Sequence, residues 1–206
     1  MPVFAASWNA SCETAAPPAT CVAAAAAAVW LAGVAIKLVD GVVDQEPGYD
    51  PAACITYAVL ATAAAVLLQA SWAGSLLVAA WSAGMAGRAY RQAWPEVAAV
   101  VAATGWLAGW QALAGATVAI LAVQALDHWV DGERWPLAGP GPLRGAWLAA
   151  GVALAVAGAL VDPLETGLVL VMTPPAEAMA RRLGRRAAGG PGAGEEGQPG
   201  WSSPPW

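Results

Sequence analysis

Long uncharged apolar runs alternate along the chain with short charged or Pro/Gly-rich segments. A helix needs about 20 apolar residues to cross the ~30 Å hydrocarbon core of a bilayer. The runs over 51–87 and 97–126 are too long for one span each, so we expect two helices in each, joined near Ser71 and within Trp110–Gly115. The other runs cover residues 14–36, 145–161 and 166–176. The pattern predicts an all-α, polytopic transmembrane helix bundle of six or seven spans.

The predicted organisation has three parts. Residues 1–20 form an extracytoplasmic segment, residues 21–180 the transmembrane domain, and residues 181–206 a basic and then Gly/Pro-rich, disordered cytoplasmic tail. The seven spans are expected at about residues 21–39, 52–70, 72–90, 96–111, 113–130, 145–161 and 166–180. Pro174-Pro175 interrupts the last apolar run, so a six-span variant with this segment on the membrane surface stays open.

Composition and charge narrow the class of protein. Hydrophobic residues make up 59% of the chain and charged residues 11%, whereas soluble proteins carry about 25% charged residues. The net charge of −5 excludes a nucleic-acid binder. All nine basic residues fall on one membrane face if the N-terminus is outside. We therefore expect a multi-pass protein of the cell inner (plasma) membrane, with its C-terminus in the cytoplasm and the lipid bilayer as its partner.

An acidic motif occurs twice, each time at the end of an apolar span. Residues 38–46 read LVDGVVDQE, and residues 125–133 read ALDHWVDGE. At an offset of 87 residues, Asp40 matches Asp127 and Asp44 matches Asp131. The duplication predicts an internal pseudo-repeat, and the predicted topology puts both copies at the cytoplasmic face.

Each copy places two carboxylates one helical turn apart on the same helix face. Adjacent carboxylates repel each other unless a cation is present. Mg²⁺ is typically bound by one or two carboxylates together with phosphate oxygens and water. We therefore predict that the four aspartates bind Mg²⁺ and a diphosphate, and that nearby basic residues bind the phosphate groups. These basic residues are Lys37, Arg88, Arg91 and Arg134.

Paired D-x-x-x-D motifs at the cytoplasmic ends of two helices resemble those of the UbiA superfamily of intramembrane prenyltransferases. The resemblance is confined to the motifs and the topology. It implies an Mg²⁺-bound polyprenyl (isoprenoid) diphosphate, with the prenyl chain among the helices. Carried over, the first motif corresponds to Asp40 and Asp44, and the second to Asp127 and Asp131. Where the family has an Asn-Asp pair upstream of its first motif, this chain has Ile36 and Lys37.

Two other functions stay open. A repeat also suits a cation- or proton-coupled membrane carrier, and a non-catalytic membrane protein would keep the repeat as a relic of duplication. For a prenyltransferase, the ring of Tyr49 or Trp129 is available to stabilise an allylic cation. Asp162 and Glu165 flank Pro163, and we expect them in a loop on the outer side.

Overall fold

A computed structural model of the chain describes residues 18–45, 47–87, 94–131 and 144–188. These residues form seven α-helices and no strand, which confirms the all-α prediction. The helices are α1 (Pro18–Val43), α2 (Pro51–Leu68), α3 (Ala70–Gly87), α4 (Trp94–Ala108), α5 (Trp110–Asp131), α6 (Arg144–Val161) and α7 (Pro163–Ala188). Residues 1–17 of the expected N-terminal segment, and the expected tail beyond residue 188, lie outside the described residues.

Three helix pairs are joined by a single non-helical residue. Gln69 separates α2 from α3, Gly109 separates α4 from α5, and Asp162 separates α6 from α7. The amide of each linking residue donates to the carbonyl four residues earlier, and its carbonyl accepts from the amide four residues later, at 2.8–3.1 Å. Gly109 has φ +99°, a conformation that favours glycine. The sequence placed the first two breaks slightly later, near Ser71 and within Trp110–Gly115.

α1, α5 and α7 run in the same direction. One pocket is lined by residues from the second half of each of these helices, namely Asp40, Asp127 and Glu177. Gly115, early in α5, lies beside Glu165 at the start of α7. We call the end of the bundle that contains the pocket the pocket pole, and the end that contains Glu165 the Glu165 pole.

Two three-helix units share one arrangement. In α1–α2–α3 and in α5–α6–α7, a long helix is followed by a connection, an 18-residue helix, a single-residue break and a third helix. α1 packs along α2 as α5 packs along α6, and α1 contacts α7 as α5 contacts α3. α4 stands between the two units in the chain.

Small residues dominate the core. The buried side chains on α1 include Ala28, Ala32 and Ala35, and those on α7 include Ala176 and Ala180. Small residues let helix backbones approach closely, which is how helices pack where lipid surrounds them. The bundle is therefore held by close backbone approach rather than by large interlocking side chains.

Apolar side chains also cover the outside of the bundle. Leu67 on α2 is 73% exposed and Leu160 on α6 is 83% exposed. Among the described residues, three helices are long and apolar enough to cross a membrane, over Thr20–Val43, Pro51–Leu68 and Trp110–Val130. Large exposed apolar surfaces are rare on soluble proteins, so these helices indicate a membrane protein.

α7 differs from the sequence prediction. The helix continues through Pro174 and Pro175 to Ala188, and therefore includes the arginine cluster that the sequence placed in the tail. Buried Ala176 and Ala180 pack with α1 just beyond the prolines. In an apolar environment the backbone has only internal hydrogen-bond partners, which favours an unbroken helix despite two missing N–H groups.

Candidate functional site

The two acidic motifs converge at the pocket pole. A pocket of about 270 Å³ lies between the C-terminal parts of α1, α5 and α7. Its charged lining residues are Lys37, Asp40, Asp44, Asp127, Glu177 and Arg181. Four carboxylates and two basic groups give the lining an excess of negative charge. The structure therefore brings three of the four predicted aspartates, and one of the four predicted basic residues, to a single site.

Lys37 connects the first motif to the second. Its Nζ atom donates to Oδ2 of Asp127 at 3.0 Å. The two side chains are 28% and 39% exposed, and ion pairs this accessible to solvent contribute about 0–1 kcal/mol to stability. The main consequence of the ion pair is that it holds the C-terminal end of α1 beside the C-terminal end of α5.

Helical spacing brings the first motif into the pocket. Lys37 and Asp40 lie three residues apart on α1, and Asp44 follows the last helical residue, its amide bonding to the carbonyl of Asp40 at 2.8 Å. Leu38 lies between them in sequence and is fully buried in the core. The polar stripe therefore faces the pocket while an apolar neighbour anchors the helix.

Tyr49 forms one wall of the pocket. Its ring lies between two glycines: a Cβ added to Gly41 would come 2.7 Å from Cε1, and one added to Gly184 would come 2.6 Å from it. Only glycine leaves room for the ring at both places. Tyr49 thus connects α1 to α7, whereas Trp129, the other ring considered from the sequence, lies on α5 outside the pocket lining.

Sequence reasoning missed two pocket residues on α7. Arg181 Nη2 donates to Glu177 Oε1 at 2.6 Å, and both side chains line the pocket. Their spacing of four is typical of a helical ion pair, but the sequence placed Arg181 in the basic cytoplasmic tail. This spacing points to the pocket only if it is known that α7 extends past its prolines and packs on α1.

The remaining predicted site residues have different outcomes. Asp131 is the last residue of α5, while Arg88, Arg91 and Arg134 lie outside the described residues. Where side chains are described, no three His, Cys, Asp or Glu residues lie close enough together to hold a metal ion. The oxygen donors in the pocket suit Mg²⁺, but as an ion shared with a phosphate ligand rather than one enclosed by protein.

A second acidic site lies at the opposite pole. Glu165 is fully buried, and neither of its carboxylate oxygens has a hydrogen-bond partner among the described residues. The sequence placed Asp162 and Glu165 in a loop, but Asp162 is the one-residue break between α6 and α7, and Glu165 lies in the first turn of α7. The Asp162 side chain accepts a hydrogen bond from the Glu165 amide at 2.9 Å.

The chemical capacity of the chain thus lies at the two poles. The pocket pole offers carboxylates and basic groups that together suit a ligand carrying both metal and phosphate. The Glu165 pole offers one carboxyl group shielded from solvent. No family model, no curated protein and no solved structure matches the chain.

Proposed function

We propose that the protein is a polytopic protein of the plasma membrane that binds the Mg²⁺-diphosphate group of an isoprenoid at the pocket pole, as a UbiA-like transferase would. The observation that carries the proposal is the convergence of the two acidic motifs. Asp40 and Asp44 from the first copy, and Asp127 from the second, line the same pocket.

The mixed charge of the lining supports a diphosphate ligand. Carboxylates alone are enough to bind a bare cation, whereas this pocket is also lined by the basic side chains of Lys37 and Arg181. When bound, Mg²⁺ would neutralise charge on a leaving diphosphate. The carboxylates would hold the ion, and the two basic side chains would bind phosphate oxygens. Tyr49 lines the same pocket, so its ring is available to stabilise an allylic cation.

Seven spans, with the N-terminus outside and the C-terminus in the cytoplasm, suit this proposal. Seven helices run through the described residues, and α1, α5 and α7 share one direction. The pocket would then face the cytoplasm, where the charged diphosphate group of a substrate is soluble. The matching three-helix units favour an origin by duplication of one motif-bearing half.

Binding of geranylgeranyl diphosphate to the detergent-solubilised full chain tests the proposal by calorimetry. We expect binding that requires Mg²⁺, and a loss of at least about 10-fold in affinity for Asp40→Asn and for Asp127→Asn. Mg²⁺ without diphosphate should bind weakly, because the described side chains enclose no metal site. Glu96→Gln, an exposed carboxylate on α4 outside the pocket, is the matched control.

Two results would overturn the proposal. One is wild-type affinity in both aspartate variants, with circular dichroism showing that they are folded. The other is binding that is indifferent to Mg²⁺. A shorter probe, inorganic diphosphate, separates the two parts of the ligand: it should bind more weakly than the isoprenoid form if the apolar helices receive the chain.

A carrier is the second candidate, and the repeated three-helix unit favours it. A carrier would place its substrate site between two related halves, as the pocket lies between α1 of one unit and α5 of the other. Flux of a cation into liposomes that contain the purified protein, without any isoprenoid, would support this function. Prenyl-dependent turnover without flux would support the transferase.

A further inference from the structure

Glu165 occupies a space that the neighbouring helix leaves open. It faces Gly115 on α5, where an added Cβ would come 3.1 Å from Oε2 of Glu165. Beside it, Thr166 is also buried, and its Oγ1 atom has no hydrogen-bond partner among the described residues. A Cβ at Gly158 would come 2.8 Å from that Oγ1. Two glycines therefore make room for two buried polar side chains at the α5–α6–α7 junction.

The usual local partner of such a glutamate is already engaged. In a capping box, the third residue of a helix accepts a hydrogen bond from the backbone amide of the N-cap residue. Here Glu165 holds the third position and Asp162 the cap position, but the Asp162 amide donates to the carbonyl of Gly158 at 2.8 Å. The one-residue connection between α6 and α7 therefore leaves the carboxylate without its customary donor.

The neighbouring helices bring no compensating charge. α5 carries no ionisable residue before Asp127, and α6 carries none over Gly145–Val161. Asp162, the nearest charged residue along the chain, is itself acidic. Among the described residues, the charge that acts on an ionised Glu165 is therefore the like charge of Asp162.

The ionisable groups on α1 and α2 do not change this. α1 carries Cys21, Lys37 and Asp40, and α2 carries Cys54 and Tyr57 near its start. Lys37 lies at the pocket pole and donates to Asp127. The charged pair on α7 itself, Glu177 with Arg181, begins 12 residues further on, about 18 Å away along the helix.

We propose that Glu165 is a proton-binding site, separate from the pocket, that takes up a proton at the Glu165 pole and holds it between α5 and α7. A buried carboxylate with neither a donor nor a cation nearby is far more stable in its neutral form. Glu165 precedes the expected span over 166–180 and lies outside the three long apolar helices. Burial, and secondly the nearby charge of Asp162, raise the pKa of Glu165 to about 8.

Loss of the proton has a structural consequence. It places a negative charge between Gly115 on α5 and the first turn of α7, where no described group neutralises it. The charge then either draws water into the junction or loosens the contact between the two helices. Both helices continue to the pocket pole. The proton is therefore bound between the same two helices that carry Asp127, Glu177 and Arg181.

The thermal stability of the full-length protein in detergent, measured against pH, tests this site. The ordinary carboxyl pKa of 4.5 is raised to about 8 in the folded state, so the folded protein holds more protons between these values. Stability should therefore fall as pH rises from about 5 to about 8 and level off above. Glu165→Gln should remove this fall, while Glu96→Gln, at an exposed carboxylate on α4, should keep it.

Difference infrared spectroscopy gives a direct second readout. We expect a protonated carboxyl band at neutral pH that disappears on titration to high pH, is missing in Glu165→Gln and is shifted in Glu165→Asp. The aspartate variant keeps a carboxyl group and serves if the glutamine variant does not fold. A pH profile of stability unchanged in Glu165→Gln, or a protonated carboxyl band that neither variant alters, would overturn the assignment. Diphosphate binding at the pocket plays no part in either readout.

Discussion

The α5–α7 contact contains the same chemical group in two environments. At the pocket pole, the carboxylates of Asp127 and Glu177 are partly open to solvent and bonded to Lys37 and Arg181. Twelve residues earlier on the same two helices, Glu165 is buried against Gly115 with no partner among the described residues. One helix pair thus holds carboxylates in ion pairs at one end, and at the other a buried carboxyl group that favours its neutral form.

Burial and partners, rather than residue type, therefore decide what an acidic residue can do. Exposed, paired carboxylates keep their charge and can exchange a protein partner for a metal ion or a ligand. A carboxylate that is buried without a partner among the described residues favours a bound proton instead, because burial penalises its charged form. The positions of the described acidic residues in the bundle therefore separate two kinds of chemistry.

Filling the space beside Glu165 should change the stability of the protein most. Gly115→Leu should destabilise the protein by about 1–3 kcal/mol, because the side chain must displace a fully buried carboxyl group. Gly167→Leu is the matched control: it lies two residues from Glu165, but an added Cβ there meets nothing within 4 Å. Thermal unfolding in detergent measures both, and equal effects would show that the Glu165 pole is loosely packed.

An intermediate effect is expected from crowding Tyr49 at the pocket pole. Gly184→Ala should destabilise by about 1–2 kcal/mol, since its Cβ would come 2.6 Å from the ring. Combining it with Tyr49→Ala should remove most of the added cost, because the two changes act on one contact. Gly145→Ala, where the new Cβ meets nothing within 4 Å, is the control. Additive effects of Gly184→Ala and Tyr49→Ala would contradict the packing of the ring between α1 and α7.

The smallest effect is expected at the Lys37–Asp127 pair. A double-mutant cycle with Lys37→Met and Asp127→Asn should give a coupling below about 1 kcal/mol that weakens as salt is added. Chemical unfolding of the four proteins in detergent provides the values. A coupling of several kcal/mol that is insensitive to salt would mean that the pair is shielded like Glu165, and the contrast between the poles would fail.

Much of the fold follows from the apolar runs. Runs of 37 and 30 residues cannot each be one span, and the chain breaks at Gln69 and Gly109, close to where the lengths required it. The end of the last helix could not be predicted, because prolines count against a helix in any local reading. Whether the helix survives Pro174 and Pro175 depends on its surroundings, here the packing of Ala176 against α1.

The candidate site was predictable only in part. The repeated motif identified Asp40 and Asp127, because a repeat can be recognised in the sequence alone. Arg181 entered the pocket through the packing of α7 on α1, which no local pattern encodes. Glu165 was assigned to a loop because an Asp-Pro sequence usually ends a helix. The one-residue connection instead starts α7 at once and turns the carboxylate inward.

The single-residue connection at Asp162 also has a mechanical meaning. Because only Asp162 connects them, α6 and α7 cannot slide past one another. Their relative movement is a rotation about Asp162. Arg181 lies 19 residues beyond Asp162, a lever arm of about 29 Å. A tilt of about 10° at Asp162 would carry the guanidinium through about 5 Å, so a small rotation at one end of α7 changes the position of a charged group in the pocket at the other.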